Sequence, residues 1–320
     1  MADPTLSIII ASYQREELLC ACLRSLMDGR ARGYRDFEVL VVDDCGGQTG
    51  RAEAMSDLVD TRFLRMEQNS GQPAAQMAAV ASARGEILAF LDDDAVAVFD
   101  WPGEIVRYFR ANPEIGAVLG RIEALNTKKL LARTRQVIYD KRHKKYLSPV
   151  FQQELKQTYS LRVGSACLGL SDHVSGGSFA IRAETLRQVG GLPVEVRMGC
   201  DMELSRRLLE GGVPIGYDPQ MIIRHLHNAS YRVLFRNSFH EGRDWVRIAL
   251  SRGERRRVLL GRCVSNLLAA PFRILRFPEM LTADRWKIRA YGVFTLIQFF
   301  DGIGRLYELS VSNGRGRKRA

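Results

Sequence analysis

The chain has 320 residues and a net charge of +11, and its hydrophobic content of 46% excludes a wholly disordered protein. No stretch approaches the roughly 20 apolar residues that span a bilayer, which excludes an ordinary transmembrane helix. The six cysteines form no CxxC pair and the N-terminus has no signal-peptide pattern, so we expect a protein of the reducing cytoplasm without a zinc finger.

The first hundred residues alternate between short apolar runs and amphipathic segments. The runs are rich in β-branched residues and are predicted as strands at 6–11, 37–42, 62–66 and 87–91. Helical patterns separate them, which predicts a parallel sheet covered by helices. Polar residues follow three of these strands, and ligands of such sheets bind beyond the carboxyl ends of the strands. The sequence therefore predicts one site formed by Ser12-Tyr13, Asp43-Asp44 and Asp92-Asp93-Asp94.

Three consecutive carboxylates end the fourth predicted strand. Their mutual repulsion is costly unless a cation or several hydrogen-bond donors neutralise it. Because residues two apart in an extended chain point the same way, Asp92 and Asp94 are expected to face one site and Asp93 another. A hard divalent cation that carries phosphates suits this arrangement, and a solvated acidic turn is the alternative.

The second half of the predicted fold contains several further site candidates. The run 173–181 is predicted as a strand, and its central Gly176 and Gly177 indicate that a ligand or another backbone approaches closely. Asp201 opens a predicted helix, where a carboxylate can also serve only to stabilise the helix N-terminus. Two short strands are predicted at 215–217 and 221–223, and His225 follows the second.

Positive charge is concentrated in the last ninety residues. Residues 231–320 hold 19 Lys/Arg and 7 Asp/Glu, whereas residues 1–230 hold 28 and 29. This asymmetry points to nucleic acid, an anionic membrane surface or an acidic substrate as a partner. Helical patterns at 231–252, 255–277 and 285–309 interleave arginine with apolar residues. Such helices can lie in a membrane interface, and the alternative is that they pack on the core with arginine outside.

Five segments of the chain resemble inverting glycosyltransferases of family 2. They are SIIIASY (7–13), VVDD (41–44), NSG through RGE (69–86), LDDD (91–94) and GCDMEL (199–204). The resemblance covers about 5–230 and implies an α/β fold of the GT-A type, with a Rossmann-like mixed sheet flanked by helices. The expected organisation is a catalytic domain at 1–230 and a basic helical C-terminal region at 231–320, which contacts a membrane or another subunit.

The resemblance also implies roles for individual residues. The backbone near Ala11, the ring of Tyr13 and the carboxylate of Asp44 would hold the nucleotide base, and Asp93 would face the ribose. Asp92 and Asp94 would form the metal site, completed by His225 or alternatively His227. Gly176 and Gly177 would lie against the donor sugar or the acceptor. Asp201 would be the general base that removes a proton from the acceptor hydroxyl.

These roles imply a metal-dependent transfer of a sugar from a nucleotide-sugar, with Mn²⁺ or Mg²⁺ as cofactor and a UDP-sugar as the expected donor. The expected acceptor is a glycan or lipid-linked intermediate of polysaccharide biosynthesis, at the inner face of the plasma membrane. Two departures from the family pattern are Gln76-Met77, where Arg-Asn is common, and Cys200, where Glu is usual.

Two alternative functions compete with sugar transfer. A sugar nucleotidyltransferase usually has a Gly-rich phosphate loop after its first strand, and residues 12–16 contain no glycine. A non-catalytic nucleic-acid binder could use the basic C-terminal region. The acidic strand ends would repel its phosphates, so we expect no nucleic-acid partner.

Overall fold

A computed structural model of the chain shows a mixed β-sheet with helices around it. The described residues are 3–47, 49–53, 60–175, 177–196, 199–226, 230–269 and 285–315. Their strands are β1 (Leu6–Ser12), β2 (Phe37–Asp43), β3 (Thr61–Arg65), β4 (Ile87–Leu91), β5 (Ala95–Ala97), β6 (Ala117–Ala124), β7 (Gly169–Leu170), β8 (Ser178–Arg182) and β9 (Ile215–His225). Their helices are α1 (Glu16–Arg32), α2 (Gly50–Glu53), α3 (Gln72–Val80), α4 (Trp101–Ala111), α5 (Leu130–Tyr146), α6 (Pro149–Tyr159), α7 (Ala183–Gln188), α8 (Cys200–Glu210), α9 (Tyr231–Ser251), α10 (Arg256–Ala269) and α11 (Arg285–Arg315).

The strand order creates a crevice beyond the end of β1. The order is β3-β2-β1-β4-β8-β6-β9-β5, with β7 paired to β9. The strands β1 to β4 are parallel to their neighbours in this group, which confirms the prediction from their alternation with helices. The chain moves outward from β1 to β3 and then returns to place β4 on the other side of β1. The loops after β1 and β4 therefore diverge, and ligands bind at such a point.

The parallel strands form the centre of the core. Every residue of β2 and β4 is buried, because helices cover both faces of the sheet at these strands. β8 runs antiparallel to β4 and to β6, so the sheet is mixed. The rings of Phe90 on β4 and Phe179 on β8 stack with centroids 4.6 Å apart. This packing holds the end of β4 in a fixed position, and with it the three carboxylates of Asp92, Asp93 and Asp94, which we call the acidic cluster.

Two strand predictions were wrong in their extent. The strand predicted at 173–181 begins only at Ser178, because the backbone N–H of Val174 donates to Ser205 Oγ rather than to a neighbouring strand. The two strands predicted at 215–217 and 221–223 are one strand, β9, with an irregular register opposite Gly120 and Arg121. A bulge of this kind leaves extra residues unpaired, which explains why the apolar pattern is interrupted.

Two compact units can be distinguished in the chain. Unit 1 comprises Met1–Leu125, Ile138–Glu195 and Cys200–Leu226, and unit 2 comprises Asn126–Val137, Val196–Gly199 and His227–Ala320. The predicted division into 1–230 and 231–320 stays a proposal. The predicted helix at 231–252 is present as α9, and part of the one at 255–277 lies outside the described residues. Within the described part of the chain, no helix is long and apolar enough to cross a membrane.

A buried carboxylate ties β2 to its neighbours in unit 1. Glu38 is inaccessible to solvent and accepts hydrogen bonds from Ser7 Oγ at 2.7 Å and from the backbone N–H of Arg84 at 2.8 Å. The guanidinium groups of Arg62 and Arg84 complete its shell. Burial alone would raise the pKa of Glu38, but these four groups outweigh it and hold the pKa below its ordinary value.

We expect Glu38→Gln to lower the free energy of unfolding by about 2 kcal/mol at neutral pH, because charge-assisted hydrogen bonds are lost from a buried site. Since the folded pKa of Glu38 lies below its unfolded value, its contribution is present above the unfolded pKa and is lost as pH falls through the folded one. The measurement is denaturant unfolding at neutral pH and under acid conditions. Exposed Glu86 provides the control Glu86→Gln, which should change little.

Candidate active site

Asp92, Asp94 and His225 converge at the ends of β4 and β9. The Nε2 atom of His225 lies 3.1 Å from Asp92 Oδ2 and 3.2 Å from Asp94 Oδ1. One potential ligand atom from each of the three residues falls within a group no wider than 4.8 Å. The sheet explains the juxtaposition, because β5 starts directly after Asp94 and its first residue, Ala95, pairs with His225. The alternative ligand His227 lies outside the described residues.

Asp93 lines the same cavity as Asp92 and Asp94, so the prediction that it faces another site was wrong. The reason is that Asp93 and Asp94 lie in a turn rather than in an extended chain. Its carboxylate is buried and accepts hydrogen bonds from Ser12 Oγ at 2.7 Å and from Arg15 Nη1 at 3.1 Å. Burial raises the pKa of Asp93 to about 6, although Arg15 and Ser12 act in the opposite direction. Burial also raises the pKa of Asp94, against the influence of His225 and Arg15. Burial is therefore the main cause of both raised pKa values.

A cavity of about 330 Å³ adjoins the acidic cluster. Ten residues line it: Ala11, Ser12, Tyr13, Arg15, Asp44, Gln72, Asp92, Asp93, Asp94 and His225. The structure thus brings together eight of the predicted site residues, all of this set except Arg15 and Gln72. A larger cavity of about 560 Å³ lies at the other end of β4, around Gly85 and Glu86. It does not contain the acidic cluster, so we place the chemistry in the smaller cavity.

Asp44 lines the cavity and binds the backbone of the segment before α3. Its two carboxylate oxygens accept hydrogen bonds from the backbone N–H groups of Ser70 and Gly71, both at 2.8 Å. Asp44 therefore fixes the turn that precedes α3 and still has lone pairs for a further donor. Tyr13 is 43% exposed, which leaves its ring available for stacking. These positions are compatible with the predicted contacts to a base, which stay predictions.

Arg15 and Gln72 line the cavity and were not assigned roles from the sequence. Arg15 Nη1 contacts Asp93 and also lies 3.3 Å from Asp94 Oδ2, while Gln72 Nε2 donates to Asp92 Oδ1 at 2.7 Å. Arg15 is one residue before α1 and Gln72 is the first residue of α3, so both reach the cluster from helix starts. Neither residue directly follows a strand, and no local pattern in the sequence showed that their side chains reach these carboxylates.

Gly177 lies against the Asp92–His225 pair, and the residue before it, Gly176, is outside the described part of the chain. A Cβ atom on Gly177 would come within 2.8 Å of Asp92 Oδ2 and 3.2 Å of His225 Cδ2. The sequence predicted the approach of a ligand or another backbone at this glycine, whereas the atoms that approach it belong to the side chains of Asp92 and His225.

The donor set at this cluster fits a divalent metal ion. Two carboxylates and one imidazole offer two hard oxygens and a nitrogen, which suits Mn²⁺ or Mg²⁺ and leaves positions for phosphate oxygens and water. We therefore treat Asp92, Asp94 and His225 as the residues that would hold the metal.

We expect Gly177→Ala to weaken Mn²⁺ binding by about tenfold or more, because the added methyl group displaces the Asp92 carboxylate and disturbs the ligand geometry. Mn²⁺ titration followed by electron paramagnetic resonance measures this. The matched control is Gly50→Ala, since a Cβ at Gly50 meets no atom within 4 Å. Equal Mn²⁺ affinity in both variants would show that Gly177 does not constrain the site.

Comparison with known proteins identifies the family. The model of the family described as Glycosyl transferase family 2 matches residues 7–177, which is more than half of the chain and includes β1, β4 and the acidic cluster. The chain belongs to glycosyl transferase family 2. It is a glycosyltransferase by family, and the nucleotidyltransferase and nucleic-acid-binder alternatives are set aside.

Curated relatives of this family 2 glycosyltransferase resemble parts of it. An N-acetylglucosaminyltransferase of Rhizobium meliloti (strain 1021) is 30% identical over 130 residues, which cover 39% of this chain and 30% of that protein. The Pre-mycofactocin glycosyltransferase of Mycobacterium tuberculosis (strain ATCC 25618 / H37Rv) is 24% identical over 295 residues, covering 89% of this chain and 53% of that protein. The chain thus spans about a third to a half of these relatives.

Solved structures show the same fold. The mannosyltransferase PcManGT from Pyrobaculum calidifontis, in complex with GDP-Man and Mn²⁺, superposes with a TM-score of 0.60 at 17% identity, covering 97% of this chain and 88% of that one. GalNAc-T7 with UDP, GalNAc and Mn²⁺ gives a TM-score of 0.54 at 16% identity, covering 71% and 44%. The predicted GT-A fold is therefore confirmed.

The predicted base of this family 2 enzyme, Asp201, lies in the first turn of α8. Its Oδ1 atom accepts the backbone N–H of Met202 at 3.0 Å, and its side chain is half-buried. Burial raises the pKa of the neighbouring Cys200 thiol to about 12, and the charges of Asp201 and Asp92 add to this effect. Asp201 does not line the cavity that contains Asp92, Asp94 and His225.

The two departures from the family pattern have structural consequences. Gln76, at the position where arginine is common, is buried, and Met77 accepts the N–H of Leu192 through its sulfur at 3.4 Å. Neither side chain can bring a positive charge to the cavity. Among the described residues that line it, Arg15 is the one arginine.

Proposed function

We propose that this glycosyltransferase moves a sugar from a nucleotide-sugar, with a UDP-sugar as the expected donor, to a glycan or lipid-linked acceptor in polysaccharide biosynthesis, with inversion at the sugar carbon and dependence on Mn²⁺ or Mg²⁺. The observation that carries the proposal is the convergence of Asp92, Asp94 and His225 beside a cavity lined by Tyr13 and Asp44. A metal-ligand cluster next to a base-sized, partly aromatic cavity is what a nucleoside diphosphate requires.

The donor would extend along the edge of the sheet, with its base at the ends of β1 and β2 and its diphosphate at the end of β4. The ring of Tyr13 and the backbone near Ala11 would hold the base, Asp44 would accept a hydrogen bond from it, and Asp93 would face the ribose. Asp93 and Ser12 are already joined by a hydrogen bond, so the ribose-binding wall is preorganised. Gly176 and Gly177 would admit the donor sugar next to the metal ligands.

The diphosphate would lie over Asp92, Asp94 and His225. When bound there, a divalent cation acts as a Lewis acid and stabilises the charge that develops on the leaving diphosphate without a proton transfer. Arg15 would add a second cation at the same place, since its guanidinium already contacts Asp93 and Asp94 and is 53% exposed toward solvent. In this proposal it replaces the missing positive charge at Gln76.

Asp201 would remove the proton from the acceptor hydroxyl as the acceptor oxygen attacks the sugar carbon. Attack from the face opposite the diphosphate inverts the configuration, so the base must stand across the sugar from the metal ligands.

The test is a panel of nucleotide-sugars with the purified chain and Mn²⁺. We expect a UDP-sugar to raise the melting temperature in the presence of Mn²⁺ and to be hydrolysed slowly, and Mn²⁺ removal by a chelator to abolish both effects. Stabilisation by a GDP-sugar alone would overturn the choice of UDP. Binding of no nucleotide-sugar at all would overturn the proposal.

We expect Arg15→Gln to weaken binding of UDP by about tenfold, because one charge-assisted hydrogen bond to a phosphate is lost. Calorimetric titration of UDP with Mn²⁺ present measures the change. The control is Arg24→Gln, which removes an exposed arginine on α1 outside the cavity. An Arg15 variant with the UDP affinity of the control would show that the guanidinium serves only to hold the carboxylates.

A further inference from the structure

Helix α10 presents apolar side chains to solvent in a regular row. Leu260, Val264 and Leu268 are spaced four residues apart, so they lie on one side of the helix. Their exposed fractions are 49%, 42% and 69%. Scattered exposed apolar residues need no explanation, but a continuous row along one helix indicates an interaction surface. We call these three residues, together with Arg257 in line with them, the α10 outer face.

The opposite side of α10 is already used for packing. Leu259 and Cys263 are inaccessible to solvent and pack in a small core with Val246 and Ala249 of α9 and Leu309 of α11. Leu267 also approaches Gly302, so α10 and α11 are in close contact. These contacts fix which side of α10 faces outward, and a rotation that buried Leu260 would expose Leu259. The exposed row is therefore a property of the packed unit.

The charge around the row is positive. α10 contains no aspartate or glutamate, and Arg257 lies in line with the row, three residues before Leu260. Arg257 and Arg255, which lies one residue before the start of α10, are both exposed. Neither has a salt-bridge partner among the residues that the structure describes. Arg262, by contrast, pairs with Glu254 at 2.6 Å. Unneutralised arginine next to exposed leucine is the pattern of a helix that lies in a membrane interface.

This charge also discriminates between occupants. A second copy placed on the α10 outer face by a twofold axis would bring arginine against arginine, with no acidic residue on α10 to compensate. An anionic lipid surface suits both the charge and the apolar side chains of this face. Its negative headgroups would pair with Arg255 and Arg257, and its apolar layer would take up the leucine and valine side chains. We propose that the α10 outer face binds an anionic lipid bilayer as a peripheral, interface-lying helix.

Membrane contact, expected from the whole of the last ninety residues, is thereby assigned to one face of one helix. Lipid binding at this face goes beyond the proposed sugar transfer and depends on none of its steps, although a lipid-linked acceptor would become more concentrated around an enzyme held at its surface. The two proposals can fail separately, since Asp94→Asn should remove donor turnover and leave lipid binding intact.

The test is flotation of the full chain with vesicles of phosphatidylcholine alone and with 30% phosphatidylglycerol, the latter being about a typical anionic content. We expect binding to the anionic vesicles only. Salt at about 0.5 M should weaken this binding, because salt screens the attraction between surface charges. Leu260→Ser with Leu268→Ser should lower partitioning by about tenfold or more. Arg257→Gln should lower it by about fivefold, the value of one cation at an anionic surface.

The control is Val150→Ser, which removes an exposed apolar side chain from α6 in unit 1 and should bind vesicles as the parent chain does. Thermal unfolding shows whether the double serine variant is folded, and Arg257→Gln tests the same face without touching the packing. Vesicle binding that is equal in all variants, or absent in the parent chain, would overturn the proposal. So would a dimer that the double serine substitution converts to monomer, because the face would then bind a second copy.

Discussion

Replacing Asp94 with asparagine is expected to lower the rate of sugar transfer by about a thousandfold or more. A metal ion supplies several kcal/mol of charge stabilisation in reactions of this kind, and each 1.4 kcal/mol is about a factor of ten in rate. The backbone holds Asp94 beside His225, because the carbonyl of Asp94 accepts the N–H of Leu226. Asparagine keeps the shape and removes the charge, so the sheet should remain folded.

The measurement for Asp94→Asn is UDP release at saturating donor over a range of Mn²⁺ concentrations, together with Mn²⁺ affinity by electron paramagnetic resonance. Both should fall, since the change acts on the metal site. The control Asp28→Asn removes an exposed carboxylate from α1 and should alter neither. An Asp94→Asn enzyme with the parent's rate and the parent's Mn²⁺ affinity would remove Asp94 from the metal site.

Replacing Asp201 with asparagine should have a different signature. We expect kcat to fall by about a hundredfold to ten-thousandfold, because general-base assistance to the acceptor hydroxyl is lost. Donor affinity and Mn²⁺ affinity should stay unchanged, since Asp201 does not line the cavity that holds them. The split between kcat and donor binding distinguishes a base from a residue that only stabilises α8.

Steady-state kinetics with separately varied donor and acceptor provide the measurement for Asp201→Asn. Glu210→Gln, at the far end of the same helix, changes the charge of α8 by the same amount and should leave kcat within about twofold, as surface changes usually do. If the two variants lost activity equally, the effect would belong to the helix and its charge. Asp201 would then lose its assignment as the base.

Much of the fold followed from local patterns in the sequence. The buried runs of β1, β2 and β4 were recognisable because both faces of a parallel strand are apolar, and their polar ends marked the site. The placement of Asp93 did not follow from the period of two, because Asp93 and Asp94 lie in a turn after β4. The GT-A fold and the family were predicted from the five short segments, and both are confirmed.

What the sequence could not supply was set by partners far away in the chain. The start of β8 at Ser178 depends on the backbone N–H of Val174, which donates to Ser205 Oγ, a residue 31 positions further along the chain. The roles of Arg15 and Gln72 depend on which side of the acidic cluster each helix start reaches, and no local pattern encodes that. The α10 outer face was hidden for a related reason, since interleaved arginine and leucine do not show which leucine is packed inward.

The delivery of His225 by β9 has a consequence for biosynthesis of the protein. His225 and Asp92 are 133 residues apart, so a ribosome must release most of unit 1 before His225 can meet Asp92 and Asp94. A nascent chain that ends before β9 carries the acidic cluster without its imidazole. β5 has only three residues and lies at the end of the sheet, and it joins the sheet by pairing with β9. In the proposed metal site, Mn²⁺ would therefore bind late in folding, after the last strand of the sheet has docked.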